Sequence, residues 1–220
     1  GDSSCQAVTQ LIETRNIYCQ GSSSCSQNSI KSGISIICNA VNACHSCQLQ
    51  ALESIACNAR HSCAASSLLS KSGDVTCNGK ASCHSTQIQT NAVNAYAAYA
   101  AAYADIDAQR VHAMAYYSLS YAHIDSKIHD KVHVTAAGYL SGYGAMLLCQ
   151  ASSECVLECR ANACLNMHFV CLHGAKCEII PNACMTNRNA VSDGIDCPVW
   201  SQSSSQQEDP SLIAYVEQRK

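Results

Sequence analysis

The sequence predicts an all-β chain wound as a parallel β-solenoid of 18–20-residue coils and stapled by disulfides. Three observations carry that expectation. Cysteine fills 18 of 220 positions. Most of these cysteines fall into pairs with one internal spacing. Aliphatic residues hold a fixed offset to each pair. Repeats are sought before secondary structure because a missed repeat miscasts the whole fold.

Residues 1–16 are expected to form an N-terminal cap, with Ala7, Val8, Leu11 and Ile12 as its apolar patch. The solenoid is expected over 17–200, and its first coils are the most regular. Cys19 and Cys25, Cys38 and Cys44, Cys57 and Cys63, and Cys77 and Cys83 all fit C-x5-C, with starts 19, 19 and 20 residues apart. Two residues before each first Cys stand Ile17, Ile36, Ile55 and Val75; five after each second Cys stand Ile30, Leu49, Leu68 and Ile88.

Cysteine is absent from 84 to 148, yet the period persists. Steps of eighteen from Val75 reach Val93, Val111, His129 and Leu147, and from Ile88 they reach Ile106 and Ile124. Tyr103, Tyr121 and Tyr139 follow the same step, with Tyr99 and Tyr117 as a second column. Tyr99-Ala-Ala-Ala-Tyr103 and Tyr117-Ser-Leu-Ser-Tyr121 are expected as strands, with Tyr on one face and small residues on the other. Ala is the best helix former, but the eighteen-residue register argues against a helix over 95–104. Cys149 with Cys155 and Cys171 with Cys177 then restore C-x5-C, preceded by Leu147 and Phe169. Cys197 follows Ile195 in the same way.

A period this short leaves few solutions. Helical repeats need more than about 30 residues. A leucine-rich repeat would show Leu-x-x-Leu-x-Leu and an asparagine ladder, and neither is expected here. Short strands parted by Ser, Asn and Gly corners suit coils whose strands stack about 4.8 Å apart, so that like residues form ladders.

Each C-x5-C excursion is turn-like and can bring the two Cβ atoms to the ~4 Å that a disulfide requires. Pairing within a coil is favoured, and the rival pairs equivalent cysteines of adjacent coils, such as Cys19 with Cys38. Cys5, Cys47, Cys159, Cys164, Cys184 and Cys197 remain, an even number that permits complete pairing. Cys44-His45-Ser46-Cys47 has the look of a zinc knuckle but lacks the second half such a site needs, so no metal or cofactor is expected. The columns Tyr99, Tyr103, Tyr117, Tyr121 and Tyr139 are either a ladder that replaces the missing disulfides or an outward strip for sugar rings or another subunit. His112, His123, His129 and His133 lie near Asp105, Asp107, Asp125 and Asp130, which are expected as a solvated flank.

Composition excludes several classes. A net charge of −3 lacks the basic face of a nucleic-acid binder. No apolar run approaches the ~20 residues of a membrane span. Cysteine this dense points to an oxidising, extracellular compartment, and the Gly-Asp-Ser-Ser opening suggests a mature secreted product. No Asn-x-Ser/Thr sequon occurs. Ser201 to Pro210 is a polar linker, and the tail 201–220 ends in a strand-like run containing Leu212, Ile213, Tyr215 and Val216. A lone strand beyond a linker suits addition to a neighbour's sheet edge.

Cys38-Asn-Ala-Val-Asn-Ala-Cys44, Cys57-Asn-Ala-Arg-His-Ser-Cys63 and Cys77-Asn-Gly-Lys-Ala-Ser-Cys83 resemble the Cys-rich β-helix repeats of uncharacterised surface and secreted proteins of protists and algae. The resemblance is good over 19–83 and loose over 149–197, and the Tyr/Ala/His middle departs from it. It implies a right-handed parallel β-helix and brings no activity. The expected function is a non-enzymatic structural subunit of an extracellular filament or coat, self-assembling head to tail through its tail. A carbohydrate-binding or adhesive module using the Tyr columns is the alternative, with glycans as partners. A polysaccharide lyase or hydrolase is less favoured.

Overall fold

The computed structural model describes residues 11–13, 15–160, 163–180 and 199–202. Seventeen strands form one continuous parallel sheet system wound as a solenoid, and no helix occurs among the described residues. Each coil has two strand positions and an arc. The first position is occupied by β2 (Ile17–Cys19), β4 (Ser35–Cys38), β6 (Ser54–Cys57) and β8 (Asp74–Cys77). The second is occupied by β1 (Leu11–Glu13), β3 (Ser29–Ser32), β5 (Gln48–Ala51) and β7 (Ser67–Ser70). In the eighteen-residue coils the corner between the two positions vanishes, so β9 (Gln87–Ala95) and β10 (Asp105–Ala113) each run through both.

The aliphatic columns are the core. Ile17, Ile36, Ile55, Val75, Val93 and Val111 pair in register, as do Ile30, Leu49, Leu68, Ile88, Ile106 and Ile124. All are buried. Burying one such side chain is worth roughly 1.5–3 kcal/mol, so the repeat itself supplies the driving force.

The arcs explain the other repeated residues. Within an arc, alternate N–H groups bond backward to a carbonyl three residues before, as Ala43 does to Ala40 and His45 to Asn42. The intervening N–H groups reach the next coil: Asn42 to Arg60, Cys44 to Ser62 and Ser46 to Ala64, at 3.3, 2.6 and 2.9 Å. Two residues four apart adopt positive φ in each arc from Ser23 to Gly144, for example Asn42 and Ser46, His61 and Ala65, and Tyr99 and Tyr103. The two Tyr-x-x-x-Tyr runs are therefore arcs, not strands. Their large-then-small pattern arises because residues 100–102 and 118–120 face the core while the flanking left-handed residues point outward.

Disulfides join Cys19 to Cys25, Cys38 to Cys44, Cys57 to Cys63 and Cys77 to Cys83, each tying a strand end to the arc that follows it. Each bond closes a short loop, worth about 2–3 kcal/mol on the chain-entropy model. The cystines stack, since Cys19, Cys38, Cys57 and Cys77 are register partners, and Ala95, Ala113 and Ala136 carry the column onward. Cys159 then resumes it, bonded to Cys164 five residues on, a spacing the C-x5-C pattern does not find.

Several expectations from counting need correction. Beyond β11 (His123–Asp125) the chain inserts residues 126–130 before β12 (Lys131–Ala136), so Val111 pairs with Val134 rather than meeting His129. The coils thereafter are longer than twenty residues. Leu147 in β13 (Met146–Cys149) belongs to the Ile88 column, and Val134 is followed by Leu157 in β14 (Glu154–Cys159). Cys149–Cys155 and Cys171–Cys177 thus keep the familiar spacing at a different corner, where they bridge β13 to β14 and β15 (His168–Cys171) to β16 (Lys176–Ile180). An asparagine ladder also exists: Asn58 donates to Asn39 and Asn78 to Asn58, at 2.8 and 2.9 Å.

Complete cysteine pairing does not occur, because Cys47 is a buried free thiol. Cys5, Cys184 and Cys197 lie outside the described residues. So do most of the segment expected as a cap and the tail residues Leu212, Ile213, Tyr215 and Val216. Leu11–Glu13 pairs with β3, and β17 (Val199–Gln202) pairs with β15, so both are rungs of the same stack.

Candidate functional site

Two outward features stand apart from the repeating wall, and both arise where the cysteines stop. The first is a groove of about 560 Å³ over the outward side chains of β7, β9, β10, β11 and β13. Its edge is the five-residue insertion 126–130, which folds over Asp107. The amide of Ile128 donates to the Asp107 carboxylate, and His129 Nε2 stands 3.6 Å from Asp107 Oδ1. Both atoms are sealed from solvent without a hydrogen bond of their own, and the His129 side chain is only 10% exposed. Burial pushes the Asp107 carboxyl above its ordinary pKa, helped by the neighbouring Asp125; His129, Ile128 and Lys127 oppose the rise. Asp125 itself is satisfied, by Gln150 at 2.7 Å and Lys127 at 3.2 Å. His123 Nδ1 lies 3.7 Å from Asp105 at the outer lip.

The carboxylate–imidazole set expected as one cluster is divided by the fold. Asp105, Asp107, His123, Asp125 and His129 share the groove. His112 and His133 lie on the other strand position with Arg110 and Glu158, where burial first, then His133 and Arg110, lower the His112 pKa. Lys127, Gln150 and Glu158 were not singled out from the sequence, since nothing in their spacing marks them before the insertion is placed.

The second feature is the arc face of the Cys-free coils. Tyr99 stacks on Tyr117 at 5.5 Å and Tyr103 on Tyr121 at 5.2 Å. Tyr139 does not extend the Tyr103 column, whose next member is Gly144; it stacks instead on Tyr116 at 5.9 Å. Tyr143 meets Tyr117 and Tyr121 edge-on, and Tyr116 meets Tyr99 and Tyr117 edge-on. The seven rings form one connected network. Three of their contacts are face to face and four edge-on, and Tyr103, Tyr116 and Tyr139 are about half exposed. Tyr116 escapes the pattern because it sits one residue off the eighteen-residue step, and Tyr143 because it lies four residues past Tyr139, beyond the insertion.

The cysteine motifs offer no ligands for zinc. Cys44 is consumed by its disulfide, and Cys47 Sγ donates to the Cys25 carbonyl at 2.8 Å. The sulfurs of Cys19, Cys38 and Cys44 converge, but all three belong to disulfides and so lack the thiolate that binds metal. No described helix is long and apolar enough to cross a membrane. No family model, curated protein or solved structure matches the chain.

Proposed function

We propose that the protein is a structural subunit of an extracellular filament or surface coat, with copies stacked head to tail and the 201–220 tail docking on a neighbour. The observation that supports it most is the direction of the arc hydrogen bonds. From Ser23 to Val41 through Tyr121 to Tyr143 and Gly144 to Leu165, each inter-coil arc bond runs from the N–H of one coil to the carbonyl of the next. The arc of a stack built this way has a donor edge and an acceptor edge, while the bonds flanking the arcs run the other way, as from Asn39 to Cys19 and from Gln48 to Asn28. Two copies satisfy both only by continuing in the same direction, and a same-direction contact that does not close yields a fibre rather than a ring. Seven disulfides among the described residues suit an oxidising exterior. The resemblance to protist and algal surface proteins points the same way. Negative-stain microscopy and light scattering of the full chain and of a form ending at residue 200 test the proposal. Filaments are expected only from the full chain; equal filaments from both exclude the tail, and particles alone from the full chain reject the fibre.

A second function is favoured by the groove. A partly buried carboxyl with a raised pKa beside an imidazole suits proton transfer during cleavage of an acidic polysaccharide. Turnover of such a polymer, abolished by Asp107→Asn, would establish it, and no turnover by the parent chain would dismiss it. The Tyr arc fits glycan stacking less well, because six of its rings already spend a face on one another in three stacked pairs.

A further inference from the structure

We propose that the tyrosine arc is an oxidative cross-linking site at which two copies of this chain become joined through their phenol rings. The proposal does not depend on the fibre: it concerns an exposed side of the solenoid rather than its ends.

Seven phenols lie in unbroken contact from Tyr103 through Tyr121, Tyr143, Tyr117, Tyr99 and Tyr116 to Tyr139, with successive centroids between 5.2 and 6.1 Å apart. Removing one electron from any ring, with loss of the phenolic proton to water, leaves a phenoxyl radical. Electron exchange between rings this close moves the vacancy along the set. It is trapped where a ring edge meets another molecule, at Tyr103, Tyr116 and Tyr139, which are 50%, 45% and 59% exposed. Face-to-face stacking of Tyr103 on Tyr121 and of Tyr139 on Tyr116 assists this, because it covers ring faces rather than the edges that carry the carbons ortho to the hydroxyl. Two such radicals from different protomers then form one carbon–carbon bond. Each ring loses its ortho proton and regains its phenol. In sum two phenols give one biphenol, two protons and two electrons, and hydrogen peroxide takes up both to form two waters.

Exposure and connection make different forecasts. Tyr18 and Tyr96 are 53% and 52% exposed, yet neither makes a ring contact with the network. Folded full-length protein is treated with hydrogen peroxide and a haem peroxidase, and dimers resolved on denaturing gels are mapped by peptide mass spectrometry. Cross-links are expected at Tyr103, Tyr116 and Tyr139 several-fold above Tyr18 and Tyr96, and reduced, denatured protein should lose that preference. Tyr117→Phe combined with Tyr143→Phe removes two interior hydroxyls while keeping the rings. It is expected to leave the folded state intact by circular dichroism and to lower the yield at the exposed positions. Cross-links spread according to exposure alone, an unchanged yield in the folded interior variant, or no dimer at all would each overturn the proposal.

Discussion

Cys47 shows how one rung position is filled by different side chains doing the same work. Its thiol donates to the Cys25 carbonyl of the preceding coil; one coil on, Ser66 donates to Cys44, and two coils on, Thr86 donates to Cys63, at 2.8 and 3.1 Å. Each caps a backbone carbonyl that would otherwise be buried and unpaired at the end of an arc. Burial pushes the Cys47 thiol pKa up, against the lowering effect of the Asn28 and Gln27 amides, so the group stays protonated and fit to donate. Cys47→Ser should therefore unfold within about 0.5 kcal/mol of the parent. Cys47→Val keeps bulk but loses the donor, and should cost roughly 1 kcal/mol or more. Denaturant melts of the two variants decide the matter: a Ser variant weaker than the Val variant would show that this site needs apolar volume instead of a donor. In the sequence the same cysteine looked like half of a metal knuckle, because spacing alone does not separate a thiol facing a ligand from one facing a carbonyl.

At the scale of the element, the arc sets the main constraint on sequence. It places non-glycine residues in the left-handed region at two points per coil, where a side chain costs about 1–2 kcal/mol. Ala65 is the cleanest case, with φ of 55° and an exposed side chain. Ala65→Gly should raise stability by about 0.5–1 kcal/mol, the strain relieved less the added freedom of the unfolded chain. A lower melting temperature would mean that the arc is held by local packing and not by backbone preference. Gly73 marks the opposite constraint: in this twenty-residue coil a Cβ at that position would drive into the Glu53 carbonyl. The strands and the first four disulfides were legible because Ile, Val and Cys recur at fixed offsets. The arcs were not, since Tyr-Ala-Ala-Ala-Tyr satisfies a strand pattern as well as a left-handed bend. Counting also failed after Asp125, because five inserted residues shift every later column without altering the C-x5-C spacing. That insertion is what creates the groove, so the most distinctive site was hidden where the periodicity broke.

For the whole molecule, stacking spreads histidines over successive coils and makes acidification a global test. Burial lowers the pKa of His61, His84 and His112; nearby charges add to it, Arg60, His45 and Lys80 for His61, His61 for His84, and His133 and Arg110 for His112. Asp74 and Glu158 partly offset the effect at His112. A histidine whose folded pKa lies below its unfolded value binds fewer protons when folded. Its contribution is present at pH above the unfolded value, near 6.5, and is lost as pH falls through that value toward the folded pKa. Asp107 works the other way, since its raised pKa favours the folded state as pH falls through that pKa toward the usual carboxylate range. Glu154 and Glu158 are held below their ordinary pKa by Lys131 and Arg160, so their share survives until the solution is more acidic still. The melting temperature should therefore be flat above neutrality and decline as pH drops through about 6.5. Replacing His61, His84 and His112 together by Gln should flatten that decline. A parent curve that rises on acidification through this window would show that the three histidines with lowered pKa do not govern how the solenoid responds to acid.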